Sequence, residues 1–420
     1  MESNNNKQCT SKIVFHIIIC GIILSGIALY HYLLPISYNY FVSEDSWVEY
    51  GTFACYLWAG LLLFKSMITD SRLRNPGHIL FCLALLFVAM EEISWGQRIF
   101  GIRTPYIVAK YNYQSEISLH NTSFIPSEFI LGFAILIWSV VIPQLHLRWN
   151  FARTLMNKIG IPIVSFELQP YFVTAFLLKN IEVVIRNAEL AELILGAAFL
   201  IFVLNIWSAI CNQSKQIEMK FKITNKIVIL IALATTAGFT IFIPKENGPL
   251  KHLLQESARN HYPRYGMRDQ SIKIWEYLRA NEALQTDETL FEYGLFLKKS
   301  HSEKSNIILL EALEKAKERK RSDPNSSAPN ILTGKIYKQL ENNELASQEF
   351  NEALRKYREK LLKSELNWQK FEAYQSMGEV YLEIGNYKLA QENFEMALEL
   401  AEEGWKKFQI RRLINNMGDH

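Results

Sequence analysis

Long apolar runs separated by short polar stretches occupy most of residues 13–243 of this 420-residue chain. An α-helix needs about 20 mostly apolar residues to cross the hydrocarbon core of a bilayer. The fifth run contains Pro162, Glu167 and Pro170, so it either crosses with a kink or re-enters the membrane. The sequence therefore predicts a polytopic transmembrane helix bundle of about seven spans, at residues 13–34, 46–64, 77–96, 127–145, 159–178, 189–210 and 222–243.

The positions of lysine and arginine orient these segments. Short cytoplasmic loops retain positive charge. With seven spans, the basic residues of 7–12, 65–74, 148–158 and 215–226 all fall on one side, and the opposite side starts with Glu44 and Asp45. We therefore predict a multi-pass protein of the bacterial inner membrane, with a cytoplasmic N-terminus and a periplasmic C-terminal domain.

Two adjacent carboxylates, Glu91 and Glu92, follow the third apolar run. An acidic side chain near the bilayer centre costs roughly 2.5–3.5 kcal/mol, and less toward the interface, so acids in such segments mark functional sites. In the predicted topology the pair lies near the outer membrane surface, at the depth of the outer loop that contains His120. We interpret Glu91, Glu92 and His120 as candidate catalytic residues, with one carboxylate acting as a general base or metal ligand.

Candidate substrate-binding residues come from the same polar layer. On a continuous helix Glu91, Ser94, Trp95 and Arg98 share one face, because residues three, four and seven apart lie on the same side. Arg98 or Arg103 would then hold an anionic group of the substrate. The predicted substrate-binding residues are Glu49, Gln97, Arg98, Arg103, Glu116, Asn121, Glu189 and Glu192.

A purely structural role for these charges is the alternative. Glu91 or Glu92 would then pair with Arg98 or Arg186, and Glu182 would pair with Arg186 one helical turn further on. The sequence contains no HExxH, GxSxG or phosphate-binding loop motif. It therefore leaves enzymatic activity open and identifies neither a metal nor a cofactor.

The last part of the chain contains a helical repeat. In residues 367–402, Gly378, Ala390 and Ala397 allow two helices to approach, while Tyr381 and Phe394 fill the space between them. These residues resemble the tetratricopeptide pattern. The pattern also includes Tyr374, Met377, Gly385, Tyr387 and Leu398.

The same frame predicts two further copies upstream. One copy runs through Gly334, Tyr337, Ala346, Phe350 and Ala353, and a degenerate copy through Tyr293, Gly294, Leu310 and Leu313. The resemblance implies an α-solenoid whose groove receives a protein partner or a peptide.

A second resemblance covers the region around the two carboxylates. Residues 91–105 read EEISWGQRIFGIRTP, and residues 118–121 read SLHN. This block resembles one in an uncharacterised family of bacterial multispan membrane proteins. The resemblance implies a membrane protein but attaches no activity to it.

Together these patterns predict an all-α protein, with a transmembrane helical domain at residues 1–245 and a tetratricopeptide-like domain at residues 246–420. The formal net charge of +3 is too small and too dispersed to indicate nucleic-acid binding. We predict a scaffold or assembly component whose repeats bind a protein and whose bundle contacts membrane lipids. The alternative is a membrane-embedded hydrolase or transferase that acts on a lipid or lipid-linked substrate through Glu91, Glu92 and His120.

Overall fold

The chain is all-α, as the apolar periodicity predicts. The computed structural model describes residues 2–100, 102, 104, 127–182, 184–212, 218–242, 247–401 and 404–417. Those residues form helices joined by turns and contain no β-strand. The chain divides into two compact units, Met1–Ile274 and Trp275–His420.

The described part of the first unit contains thirteen complete α-helices. Short π-helical turns at Ile137–Val141 and Ser257–His261 continue two of them. Helix α14 (Arg268–Ala280) contains the boundary between the units. The helices are α1 (Glu2–Leu33), α2 (Pro35–Val42), α3 (Trp47–Thr69), α4 (Pro76–Glu92), α5 (Gln97–Phe100), α6 (Ser127–Leu136), α7 (Ile142–Arg148), α8 (Asn150–Ile159), α9 (Gln169–Asn180), α10 (Asn187–Asn212), α11 (Glu218–Phe242), α12 (Asn247–Glu256) and α13 (Tyr262–Arg264).

Three helical stretches of the described chain are long and apolar enough to cross a membrane. They are Thr10–Leu33, Pro35–Thr69 and Asn187–Cys211, which correspond to the first, second and sixth predicted spans. Gly132–Arg148 and Lys226–Ile241 are shorter apolar helices, and α4 has 17 residues. These lengths and compositions indicate association with a membrane.

The fifth predicted span is not a continuous helix. Gly160 has a φ of 78° and ends α8, residues 161–168 are not helical, and α9 has only 12 residues. Pro170 lies in the first turn of α9, where a missing N–H is tolerated. Pro162 also lacks an N–H, so α8 cannot continue through it as a regular helix.

Two side-chain hydrogen bonds link this region to the π-helical turn Ile137–Val141. Trp138 Nε1 donates to the Pro162 carbonyl at 3.0 Å, and Gln169 Nε2 donates to the Ser139 carbonyl at 3.0 Å. A Cβ atom on Gly77 would lie 2.2 Å from the Gly160 carbonyl oxygen, so two backbones touch there. Residues 160–168 are therefore held by backbone packing and by the Trp138 donor.

Helix α3 lies at the centre of the first unit, where it packs on α4, α10 and α11. Aromatic rings from four elements pack beside it: Trp138 stacks on Phe199 at a centroid distance of 5.5 Å, and Phe81, Phe172 and Phe202 complete the cluster. This cluster forms one wall of the cavity described below.

Helices α12 and α13 follow the predicted domain boundary at residue 245 and belong to the first compact unit. Ser257 Oγ donates to Asn39 Oδ1 at 2.6 Å, and the Tyr262 hydroxyl donates to the His31 carbonyl at 3.1 Å. All four residues are buried. These contacts join residues 247–264 to α1 and α2.

The second unit contains successive helix pairs. Each pair packs within itself and against the next pair, and α21 packs on the last one. The helices are α15 (Asp287–Lys298), α16 (Ser302–Ser322), α17 (Ala328–Gln339), α18 (Asn343–Lys363), α19 (Asn367–Ile384), α20 (Tyr387–Leu400) and α21 (Gly404–Met417).

A glycine in the first helix of each pair allows the second helix to approach. A Cβ atom on Gly334 or Gly378 would lie 2.6 Å from the ring of Phe350 or Phe394, respectively. In the most N-terminal pair a Cβ atom on Gly294 would lie 2.7 Å from Leu309. The sequence frame was therefore wrong by one residue there, because Leu310 is 51% exposed on the outer face of α16.

Candidate functional site

A cavity of about 700 Å³ lies among α3, α4, α6, α9 and α10. Pockets of about 300–1,000 Å³ are typical of small-molecule sites. Four charged side chains line the cavity: Glu91, Glu92, Lys179 and Glu192. Most of the remaining wall is apolar, and its largest side chains include Tyr56, Phe81, Phe87, Trp138, Phe176 and Phe199.

Glu92 lies in the last turn of α4 and faces this cavity. Three carboxylates from two helices lie around it, because Glu49 of α3 and Glu189 and Glu192 of α10 all act on it electrostatically, with Lys179 as the opposing charge. Lys179 Nζ forms an ion pair with Glu192 Oε1 at 2.9 Å. In the described part of the chain, Glu92 itself forms neither a hydrogen bond nor an ion pair.

Glu91 is held in a different way. It is 6% exposed, and its Oε1 accepts a hydrogen bond from Trp95 Nε1 at 2.5 Å. The Trp95 ring also contacts Phe87, with centroids 5.5 Å apart. The Glu91 carboxylate is therefore fixed by an indole donor, whereas the Glu92 carboxylate remains available to a ligand.

A left-handed turn follows the two carboxylates. Ser94, Trp95 and Gly96 have φ values of 47°, 56° and 76°, and a non-glycine residue in this region costs about 1–2 kcal/mol. A right-handed helix cannot continue through such a turn. The predicted continuous stripe from Glu91 to Arg98 is therefore wrong, since α4 ends at Glu92. Backbone strain of this kind is concentrated at functional sites.

Other described charges of the polar layer have structural partners. Arg186 pairs with Glu189 at 3.1 Å and with Glu44 at 3.4 Å. The predicted helical pair between Glu182 and Arg186 is wrong, because Arg186 has a φ of 54° and precedes α10. Glu182 pairs instead with Arg264 at 3.1 Å.

Two more predicted site residues have local partners. The Asp45 N–H donates to Glu49 Oε2 at 2.7 Å, and Gln97 Nε2 donates to Thr104 Oγ1 at 2.6 Å. Arg103, Glu116, His120 and Asn121, and the side chain of Arg98, lie outside the described residues. Among the residues that are described, no three His, Cys, Asp or Glu side chains are placed to hold a metal ion.

Sequence reasoning missed Lys179, the counter-charge of Glu192. A lysine at the end of an apolar segment is usually an interfacial residue, so its type gave no signal. The 13-residue separation between Lys179 and Glu192 becomes a contact only because α9 packs against α10.

Comparison with known proteins identifies part of the second unit. A family profile of the tetratricopeptide repeat matches residues 371–403, which places one repeat in α19 and α20. A search of curated proteins finds no match to the chain. The repeat indicates interaction with another protein.

Proposed function

We propose that this protein is a membrane-anchored scaffold whose tetratricopeptide-like solenoid recruits a protein partner. The matched repeat in α19 and α20 is the observation that carries the proposal. Two upstream helix pairs repeat its glycine contact. Stacked pairs of this kind present an extended face to a peptide or a partner helix.

Ion pairs and hydrogen bonds between the first helices of successive pairs support a continuous face. Lys298 Nζ donates to Gln339 Oε1 at 2.7 Å, which links α15 to α17. Lys338 Nζ pairs with Glu383 Oε2 at 3.0 Å, which links α17 to α19. The first helices of the three pairs therefore lie side by side and offer one surface to a partner.

The packing of residues 160–180 supports a bundle with seven crossings. Gly160 touches Gly77 in the first turn of α4, and Lys179 lies near Glu92 in its last turn. The 17 residues of α4 extend over about 25 Å. A non-helical stretch followed by α9 thus reaches from one end of α4 to the other, which supports an odd number of crossings and a periplasmic location of the repeats.

Two matched glutamine–glutamate pairs provide a test of recruitment. Gln375 donates to Glu379 on α19 at 3.1 Å, and Gln391 donates to Glu395 on α20 at 2.8 Å. Glu379 and Glu395 are both exposed. We expect Glu379→Arg to lower the yield of the cross-linked partner by about tenfold or more, equivalent to about 1.4 kcal/mol, because the charge on the recruiting face is reversed.

Glu395→Arg makes the same charge change on the second helix and should leave the cross-linked yield near that of the unaltered full-length protein. If both substitutions lowered the cross-linked yield equally, the effect would be one of protein stability. If neither lowered the yield, the partner would not bind the face formed by α15, α17 and α19.

The second candidate function is a membrane-embedded hydrolase or transferase for a lipid or lipid-linked substrate. The specific observation in its favour is the Glu92 carboxylate, which has no ion-pair partner among the residues that the structure describes and lies on the wall of an apolar cavity, beside a strained turn. Glu92 would act as general base, Glu91 would hold the turn through Trp95, and His120 would assist proton transfer.

The two functions predict opposite mutant phenotypes. A scaffold retains its cellular role with Glu91→Gln and Glu92→Gln but loses it when the repeats are removed. An enzyme loses its role with Glu92→Gln or His120→Gln, while variants of the repeat face keep turnover. The protein is immunoblotted in each case, so that a loss of abundance is not mistaken for a loss of function.

A further inference from the structure

The cavity of the first unit opens along α4 toward apolar surroundings. Leu80 and Phe87 line the cavity, yet they are 70% and 42% exposed. Exposed large apolar side chains on an apolar helix face lipid in a membrane-embedded bundle. An alkyl chain can therefore enter from the bilayer without passing through water.

The charged end of the cavity determines which head group fits. Three carboxylates and one ammonium group line it. Lys179 is already paired with Glu192, and Glu91 accepts from Trp95, whereas Glu92 has neither type of partner among the described residues. The wall therefore offers more acceptors than donors, which disfavours a phosphate or carboxylate head and favours an ammonium head.

Burial also bears on this selection. Desolvation and the neighbouring carboxylates Glu192, Glu189 and Glu49 disfavour an unpaired charge on Glu92. An isolated carboxylate next to apolar groups is costly, and a paired ammonium offsets that cost. A cationic ligand thus stabilises the site, whereas a neutral ligand of the same shape gains only apolar contacts.

We infer that this cavity binds an amphiphile with a long alkyl chain and an amine head group. The chain lies against the apolar wall, and the amine pairs with Glu92. The inference rests on the membrane-embedded bundle of the proposed function, but binding requires neither partner recruitment nor turnover. If the second function holds, the inference also defines the substrate class of that enzyme.

Alkyl probes of equal length test this inference on the purified full-length protein in nanodiscs of neutral lipid. Dodecylamine, dodecanol and dodecyl phosphate share one chain and differ in the head group. We expect dodecylamine to bind at least about tenfold more tightly than dodecanol, and dodecyl phosphate to bind more weakly than either. Binding is measured by calorimetry and corrected with empty nanodiscs.

Substitution of Glu92 tests the position of the head group. Glu92→Gln should reduce dodecylamine affinity to about the dodecanol level. Glu256→Gln removes the same charge at an exposed position of α12 outside the cavity and should leave the preference intact. An unchanged preference in Glu92→Gln, or tighter binding of dodecyl phosphate than of dodecylamine, overturns the amine assignment.

Filling the cavity tests the position of the chain. Ala175 lines the cavity and is 4% exposed, so Ala175→Phe should weaken both dodecylamine and dodecanol. Ala84→Phe fills the cavity from the exposed side of α4 and serves if the first variant unfolds. Unchanged binding of both probes in a folded filling variant overturns the cavity as the binding site.

Discussion

The imidazoles of His31 and His261 meet inside the first unit. Their ring centroids lie 5.0 Å apart, and the side chains are 2% and 5% exposed. Neither Nε2 atom has a hydrogen-bond partner in the described structure. Burial lowers the pKa of the His261 imidazole, and the nearby Glu182 carboxylate opposes that effect only in part. Protonation of His261 therefore opposes folding.

This geometry predicts acid sensitivity of the first unit. The pKa of His261 is lower in the folded chain than its ordinary value of about 6.5, so the unfolded chain binds more protons below that pH. Stability is then fully present above about pH 6.5 and decreases as the pH falls toward the folded pKa. We expect the melting temperature of the full-length protein to be lower at pH 5 than at pH 7.5.

Two substitutions identify the responsible group. His261→Phe removes the titration and keeps an aromatic ring, so it should reduce the difference between the two melting temperatures. His252→Asn alters an exposed histidine of α12 and should leave that difference unchanged. Identical pH profiles for all three proteins would contradict the assignment to His261.

Individual site residues were predictable only where their chemistry conflicted with their surroundings. Glu91 and Glu92 were identifiable because acids are costly in an apolar run. The exceptional conformation of Trp95 gave no signal, since tryptophan has no preference for positive φ. That conformation depends on the contacts with Glu91 and Phe87, which form only after folding.

At the level of helices, the close contact between Gly378 and Phe394 predicts that a larger side chain at position 378 destabilises the α19–α20 pair. Gly378→Ala gains up to about 1 kcal/mol of helix propensity. The added methyl group would lie 2.6 Å from the Phe394 ring, which is fully buried, and overpacking costs about 1–3 kcal/mol. We expect net destabilisation, seen as faster hydrogen exchange in α19 and α20 of the full-length protein.

Glu379→Ala is the matched control for that experiment. It lies on the exposed face of the same helix, one residue further on, and adds no atoms to the core. Its hydrogen exchange in α19 and α20 should stay close to that of the unaltered protein. Hydrogen exchange in α19 and α20 that is slower in Gly378→Ala than in both Glu379→Ala and the unaltered protein would contradict this prediction. The close approach of Gly378 to Phe394 would then not limit the packing of the two helices.

Helices were predictable where their own residues determine them. The tetratricopeptide spacing in residues 367–402 agrees with α19 and α20. Residues 159–178 were not predictable from their apolar content, because the Trp138 indole donates a hydrogen bond to the Pro162 carbonyl in the non-helical stretch. A local sequence window does not show such long-range donors.

For the whole molecule, the proposed topology predicts opposite accessibility at two positions. Glu344 is exposed in the second unit, and Lys158 is exposed on α8. In intact spheroplasts, a membrane-impermeant maleimide should label Glu344→Cys, whereas Lys158→Cys should react only after permeabilisation. The unaltered chain gives the background from its own cysteines. If only Lys158→Cys were labelled in intact spheroplasts, the topology would be the opposite of the one proposed.

The all-α class and the repeat were predictable at this scale because both depend on periodic patterns. The number of crossings stays a prediction, since three stretches of the described chain meet the length and hydropathy of a span. The cavity was not predictable, because its walls come from segments as distant as Tyr56 and Phe199. Only the packed bundle brings those side chains together.

The indole of Trp138 has an evolutionary consequence. Phenylalanine would fill the same space at position 138, but it would leave the Pro162 carbonyl without its donor in an apolar interior. Drift at this position is therefore restricted to side chains that combine bulk with an N–H or O–H group. Lineages that lose the indole should show compensating replacements in residues 160–169, so the two stretches should change in concert.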